Sequence, residues 1–173
     1  MSTLANNDVI HVALAFCDPK GTYCRHAAVV MASIFENTSN KVCVHIIHDD
    51  TLTNNNREKL EKITSTYRQT VNFLNVENMF NSNKIDAQRL ADMGARGMLF
   101  RLLIPDIIHE EKIIYLDCDI VVTLDISELW QIPLKGCAVA VVRDTASKRI
   151  AQCQRGQLVA NEVWNLLRVR SGE

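Results

Sequence analysis

Residues 112–122 read Lys-Ile-Ile-Tyr-Leu-Asp-Cys-Asp-Ile-Val-Val, an acidic pair planted in an otherwise apolar run. Lys112–Leu116 predicts a strand that enters the pair, and residues 120–124 continue it in extended form. At strand spacing, residues i and i+2 point the same way, so Asp117 and Asp119 are expected to face one cation. Burying two carboxylates is costly unless something positive meets them. Hard cations such as Mn²⁺ or Mg²⁺ take oxygen ligands and bridge to phosphate oxygens. A cation held here would neutralise a diphosphate leaving group. Aspartates also end strands as plain turn caps. The apolar flanks on both sides favour the metal reading.

Working outward, Val9–Phe16 predicts a buried strand. Tyr23–Phe35 follows as a helix with an apolar face of Ala27, Ala28, Val30, Met31 and Ile34. Val42–Ile47 is a second strand, and Thr53 caps a helix running to about Tyr67 with Leu60 and Ile63 inward. Thr70–Val76 alternates as a third strand. Residues 78–92 are polar, a long loop or a short helix. Gly97–Ile104 is an apolar helix interrupted at Pro105. Asp125-Ile126-Ser127-Glu128 has the form of a capping box before Leu129-Trp130. Cys137–Val142 predicts another strand and Leu158–Val169 a last helix. Strands alternating with helices, and strands that are apolar throughout, imply an α/β class with a mostly parallel sheet covered by helices on both faces. The ligand crevice of such a sheet lies beyond the carboxyl ends of its strands.

The 173 residues are 47 % hydrophobic and 23 % charged, ordinary for one globular domain. A formal net charge of −1 argues against nucleic-acid binding, so an anionic substrate would be met by a metal or a few placed cations. No signal peptide opens the sequence, and no apolar run reaches the roughly 20 residues needed to span a bilayer. Six cysteines without a CxxC pair are expected to be reduced thiols in a cytoplasmic protein. Zinc is not expected, because no Cys/His pair sits at ligand spacing. His45 and His48 fall in a strand and are expected to be core or edge residues.

With its neighbours, the acidic pair resembles glycosyltransferase family 8. The resemblance is an ordered series covering roughly residues 9–145. It runs through His11–Phe16, a loop from Asp18 to Tyr23, and Ala32-Ser33-Ile34. It continues with Val44-His45-Ile46-Ile47-His48-Asp49-Asp50, Phe100-Arg101-Leu102 and residues 112–122. It ends with Asp125–Trp130 and Ala140-Val141-Val142-Arg143-Asp144. The implied fold is the Rossmann-like nucleotide-diphospho-sugar transferase fold of A-type glycosyltransferases, here a single nucleotide-sugar-binding domain. The implied reaction moves a hexose from a UDP-sugar to an acceptor hydroxyl with retention. The resemblance places Ala15, Phe16 and Asp18 at the uracil and ribose site, and Asp117 and Asp119 on Mn²⁺ (or Mg²⁺). It places the Cys118 main chain near the ribose, Arg101 at the donor sugar or its diphosphate, and Asp144 near the transferred sugar. Each has a plainer reading: a snorkelling arginine, or aspartates that only make turns.

The series also departs from the family. Cys17 stands where an acidic or polar residue is common, and is expected to be a packed thiol. After Asp144 the usual Phe-Asn-Ser/Ala-Gly string is not matched by residues 155–161, and none of the five histidines follows the acidic pair. The third metal ligand and the acceptor half are therefore not expected within these residues, which keeps open a truncated or degenerate, non-catalytic nucleotide-sugar-binding or interaction module. Phosphatases of the haloacid dehalogenase type also carry Asp-x-Asp after an apolar strand. They place it near the start of the domain, whereas here three strand–helix units precede it. The helix expected at residues 158–169 covers a sheet edge or meets a partner, which leaves a homo-oligomer open.

Overall fold

A computed structural model of the protein describes residues 9–82 and 96–141. The chain divides into two compact units, Met1–Gln131 and Ile132–Glu173.

In the first unit, β1 (Ile10–Ala15), β2 (Val42–His48), β3 (Thr70–Asn75) and β4 (Ile114–Tyr115) form one sheet in the order β3-β2-β1-β4. Every pairing is parallel. All seven residues of β2 are buried, as the apolar run requires of a strand covered on both sides. The pleat then sorts the side chains. Ile10, Val12 and Leu14 of β1, with Val42, Val44 and Ile46 of β2, join Ala27, Val30, Met31 and Ile34 of α1 (Cys24–Glu36) and Leu60 of α2 (Asn54–Thr66) in one core. Ala13, Ala15 and Ile47 face the other way, into a second core with Phe100, Leu103 and Ile108. The Thr53 hydroxyl accepts from the Asn56 N–H and caps α2 as expected.

A short α3 (Glu77–Ser82) follows β3. The apolar stretch predicted as one helix from Gly97 is instead broken into α4 (Arg96–Leu99), a 3₁₀ turn (Phe100–Leu103) and α5 (Ile104–Ile107). Pro105 does not end the segment; it sits in the first turn of α5, where its missing N–H costs nothing. The segment passes close to the backbone after β1 at Gly97. A Cβ there would lie 2.8 Å from the Cys17 amide nitrogen and 3.2 Å from Phe16 backbone atoms. The chain comes this close to the end of β1, and curls over the second core rather than running straight.

Residues 120–124, expected to continue in extended form, join no strand of the sheet. The Val122 N–H donates to the Ser33 hydroxyl at 3.0 Å, and its carbonyl accepts from the Asn37 amide at 3.0 Å. Side chains at the end of α1 thus take the hydrogen bonds that a ladder would have used. Asp125 caps α6 (Ile126–Trp130), accepting from the Ser127 N–H at 2.9 Å and the Thr38 hydroxyl at 2.7 Å. Burial alone would raise the Asp125 carboxyl, but these donors outweigh it and hold it below the ordinary range.

In the second unit, the described residues 132–141 contain a turn in which the Cys137 N–H donates to the Leu134 carbonyl, with Lys135 and Gly136 at positive φ. The strand predicted at Cys137–Val142 is not formed over residues 137–141. Asp144, Cys153 and the helix predicted at residues 158–169 lie outside the described residues.

Candidate functional site

Strand order reverses at β1: β2 and β3 lie to one side of it and β4 to the other. The crevice of an open α/β sheet forms at such a switch point, beyond the carboxyl ends of the strands. The loops that follow β1 and β4 are therefore the ones to inspect. The Leu116 N–H donates to the Ala13 carbonyl at 3.0 Å, carrying the chain one residue past β4. The Cys118 thiol then turns inward toward the Ala15 carbonyl at 3.8 Å and is only 4 % exposed. Burial pushes that thiol up to about 12, so it packs as a neutral group.

The setting of the acidic pair differs from its sequence-based expectation. β4 ends at Tyr115, Cys118-Asp119 occupies a turn, and both aspartates are exposed. No burial cost demands a cation here. The turn instead directs the central Cys118 into the protein and leaves both carboxylates on its outer side. Burial raises the Tyr23 phenol first, and Cys118, Asp119 and Asp117 each raise it further, so both carboxylates act on one phenol.

Arg101 arrives from the 3₁₀ turn. Its Nε donates to the Met98 carbonyl at 2.6 Å, Nη2 lies 3.2 Å from Asp117 Oδ1, and the guanidinium stands 4.7 Å over the Tyr115 ring. The Tyr115 hydroxyl also donates to Asp117 Oδ1 at 3.1 Å. Arg101 and Asp117, separated by sequence, thus meet beyond the carboxyl end of β4. The ion pair is part-exposed, with side chains 34 % and 55 % accessible, so it is worth at most about 1 kcal/mol. A competing anion can recruit that guanidinium at small cost.

Ala15, Phe16 and Asp18 lie at and just beyond the end of β1 and are buried. Asp18 is engaged internally. Oδ1 accepts from the Tyr23 N–H at 2.7 Å, Oδ2 accepts from the Asn56 amide at 2.9 Å, and its own N–H donates to Thr51 at 2.6 Å. It therefore ties the β1 loop to α2. Cys17 is raised far above the usual thiol range, chiefly by burial and then by a hydrogen bond with Asp49, which makes it the packed thiol expected.

One group at this end was not singled out from the sequence. Asp49, 1 % exposed after β2, faces Arg96 Nε at 3.8 Å, and Arg96 Nη2 reaches Glu77 at 2.7 Å. Asp49 also accepts from the Thr51 N–H at 3.1 Å and from its hydroxyl. The signal available was an acidic residue directly after an apolar strand, the same signature as Asp117.

Comparison with known proteins gives concordant results. The model of the family described as glycosyl transferase family 8 matches residues 14–165. General stress protein A of Bacillus subtilis is 27 % identical over 146 residues, which cover 82 % of this chain and 48 % of that protein. A probable glycosyl transferase, Gly, of Streptococcus gordonii is 43 % identical over 47 residues, covering 27 % of this chain and 7 % of its own. The chain thus spans about half the length, or less, of these relatives. Among solved structures, the apo structure of the bifunctional glycosyltransferase WbbM superposes with a TM-score of 0.66 at 21 % identity, covering 85 % of this chain and 25 % of that one. The galactosyltransferase LgtC, solved with donor and acceptor sugar analogues, gives a TM-score of 0.58 at 18 % identity over 72 % of this chain and 43 % of that one. These likenesses show the A-type glycosyltransferase fold.

Proposed function

Because the chain belongs to glycosyl transferase family 8, we propose that it forms the nucleotide-sugar-binding part of a retaining, UDP-sugar-dependent hexosyltransferase. The observation that carries this reading is the exposed acidic turn at the β1/β4 switch point, with Arg101 reaching Asp117 across it. Two carboxylate side chains make a ligand set suited to Mn²⁺ or Mg²⁺. Asp117 and Asp119 would hold the ion. Once bound, it would neutralise charge on the diphosphate. Arg101 would leave Asp117 for a diphosphate oxygen, exchanging one charge-assisted bond for a directed pair. The Cys118 main chain would pass near the ribose. Ala15 and Phe16 would back the uracil, and Asp18 would hold the loop beside it. Asp144 is assigned near the transferred sugar by resemblance.

Calorimetry on the full chain tests the site. UDP should bind at least tenfold more tightly with Mn²⁺ than without it, and Asp119→Ala should abolish that difference while keeping the circular dichroism of the parent. Equal UDP affinity with and without Mn²⁺, unchanged by Asp119→Ala, would rule the site out. Hexose transfer from UDP-hexose by this chain, lost in Asp119→Ala, would show that the site supports turnover as well as binding.

A further inference from the structure

At the amino ends of β1 and β2, opposite to the acidic turn, three metal-binding side chains converge. His11 pairs in register with Cys43, and Ala13 with His45. His11, Cys43 and His45 therefore share the sheet face that also carries Ala13, Ala15 and Ile47. One ligand atom from each lies within 4.8 Å of the others, and His11 Nδ1 is 3.0 Å from His45 Nε2. Cys43 and His45 are 7 % and 5 % exposed. Ligand spacing along the chain gave no reason to expect zinc, but this set is built across two parallel strands, with Cys43 and His45 on one and His11 on the other.

The surroundings are those of ligands. His11 Nε2 faces Glu110 Oε2 at 3.6 Å, which turns Nδ1 inward toward Cys43 and His45. A carboxylate on the outer ring nitrogen is how metal-bound imidazoles are oriented. The Asn72 amide donates to Cys43 Sγ at 3.4 Å, which holds the sulfur in place on the shared face. A hydrogen bond between the two imidazoles would account for their 3.0 Å approach alone. It gives no role to the thiol beside them or to the carboxylate behind them.

We propose that His11, Cys43 and His45 bind a borderline transition-metal cation of the Zn²⁺ class, with Glu110 orienting His11 from outside. Two imidazoles and a thiolate select such an ion and discriminate against the oxygen-seeking Mn²⁺ and Mg²⁺. The chain would then carry two cation sites of different chemistry at opposite ends of one sheet. An ion here ties β1 to β2 at their start, where it can stabilise the fold but is remote from the acidic turn.

Titration of the full, reduced chain with Co²⁺, a visible substitute for Zn²⁺, tests the site. One equivalent should bind and give a thiolate-to-metal charge-transfer band that Zn²⁺ bleaches. Cys43→Ser should remove the band, and Glu110→Gln should weaken Co²⁺ binding about tenfold, the usual effect of losing an orienting carboxylate. Asp119→Ala should leave the band unchanged, which separates this site from the acidic turn. Absence of any thiolate band in the parent overturns the proposal, as does a band that survives Cys43→Ser. Should Cys43→Ser not fold, Glu110→Gln at a half-exposed position decides, and unchanged Co²⁺ affinity there is a negative result.

Discussion

Arg101 carries most of what a single residue reveals here. Its bond to the Met98 carbonyl fixes the base of the guanidinium, while the outer nitrogen reaches Asp117. Lysine keeps the charge but lacks the planar fork that can hold Met98 and an anion together. Arg101→Lys is therefore expected to lower UDP affinity in Mn²⁺ about tenfold, about 1.4 kcal/mol. Its stability in denaturant should change by less than about 1 kcal/mol, since the pair with Asp117 is part-exposed. Lost stability with unchanged UDP affinity would make Arg101 a structural residue only. In the sequence, Arg101 and Asp117 were both visible, but not their meeting. Asp18 was harder to read. A buried carboxylate that serves one backbone N–H and one amide looks, in sequence, the same as one that serves a ligand.

At the scale of elements, β1 to β3, α1 and α2 were legible because each is a long periodic run whose burial is set locally. The stretch from Arg96 to Ile107 was not. Its composition favours a helix, but its course is set by how closely Gly97 meets the backbone of Phe16 and Cys17. Gly97→Ala must push backbone against backbone. It should cost about 1–3 kcal/mol in denaturant unfolding, the usual range for an overpacked site. Because Arg101 follows four residues later, the same variant should also weaken UDP binding. Full stability in Gly97→Ala would show that the close approach is not a constraint. For residues 120–124 the sequence left open what meets the backbone: Ser33 and Asn37, rather than a strand, supply the partners for Val122.

For the whole molecule, the alternating pattern sufficed for the α/β class and for a crevice beyond the carboxyl ends of the strands, while the strand order did not show in the sequence. What sequence order could not display was the register between parallel strands. Register brings residues 32 and 34 positions apart into one cluster, and it separates the two ends of the sheet into an oxygen-rich and a nitrogen–sulfur environment. Local pattern reading sees periods of two and 3.6 residues and is blind to pairings across crossovers. Trp130, at the end of α6, has its ring 6.2 Å from that of His11, with the Lys112 ammonium 5.4 Å from the indole. This makes the indole a built-in optical reporter. Its emission should be quenched by Co²⁺ arriving at the imidazole cluster and spared by Zn²⁺. In a Trp164→Phe background, fluorescence alone could then follow occupancy of the amino-end site while UDP is titrated at the other end.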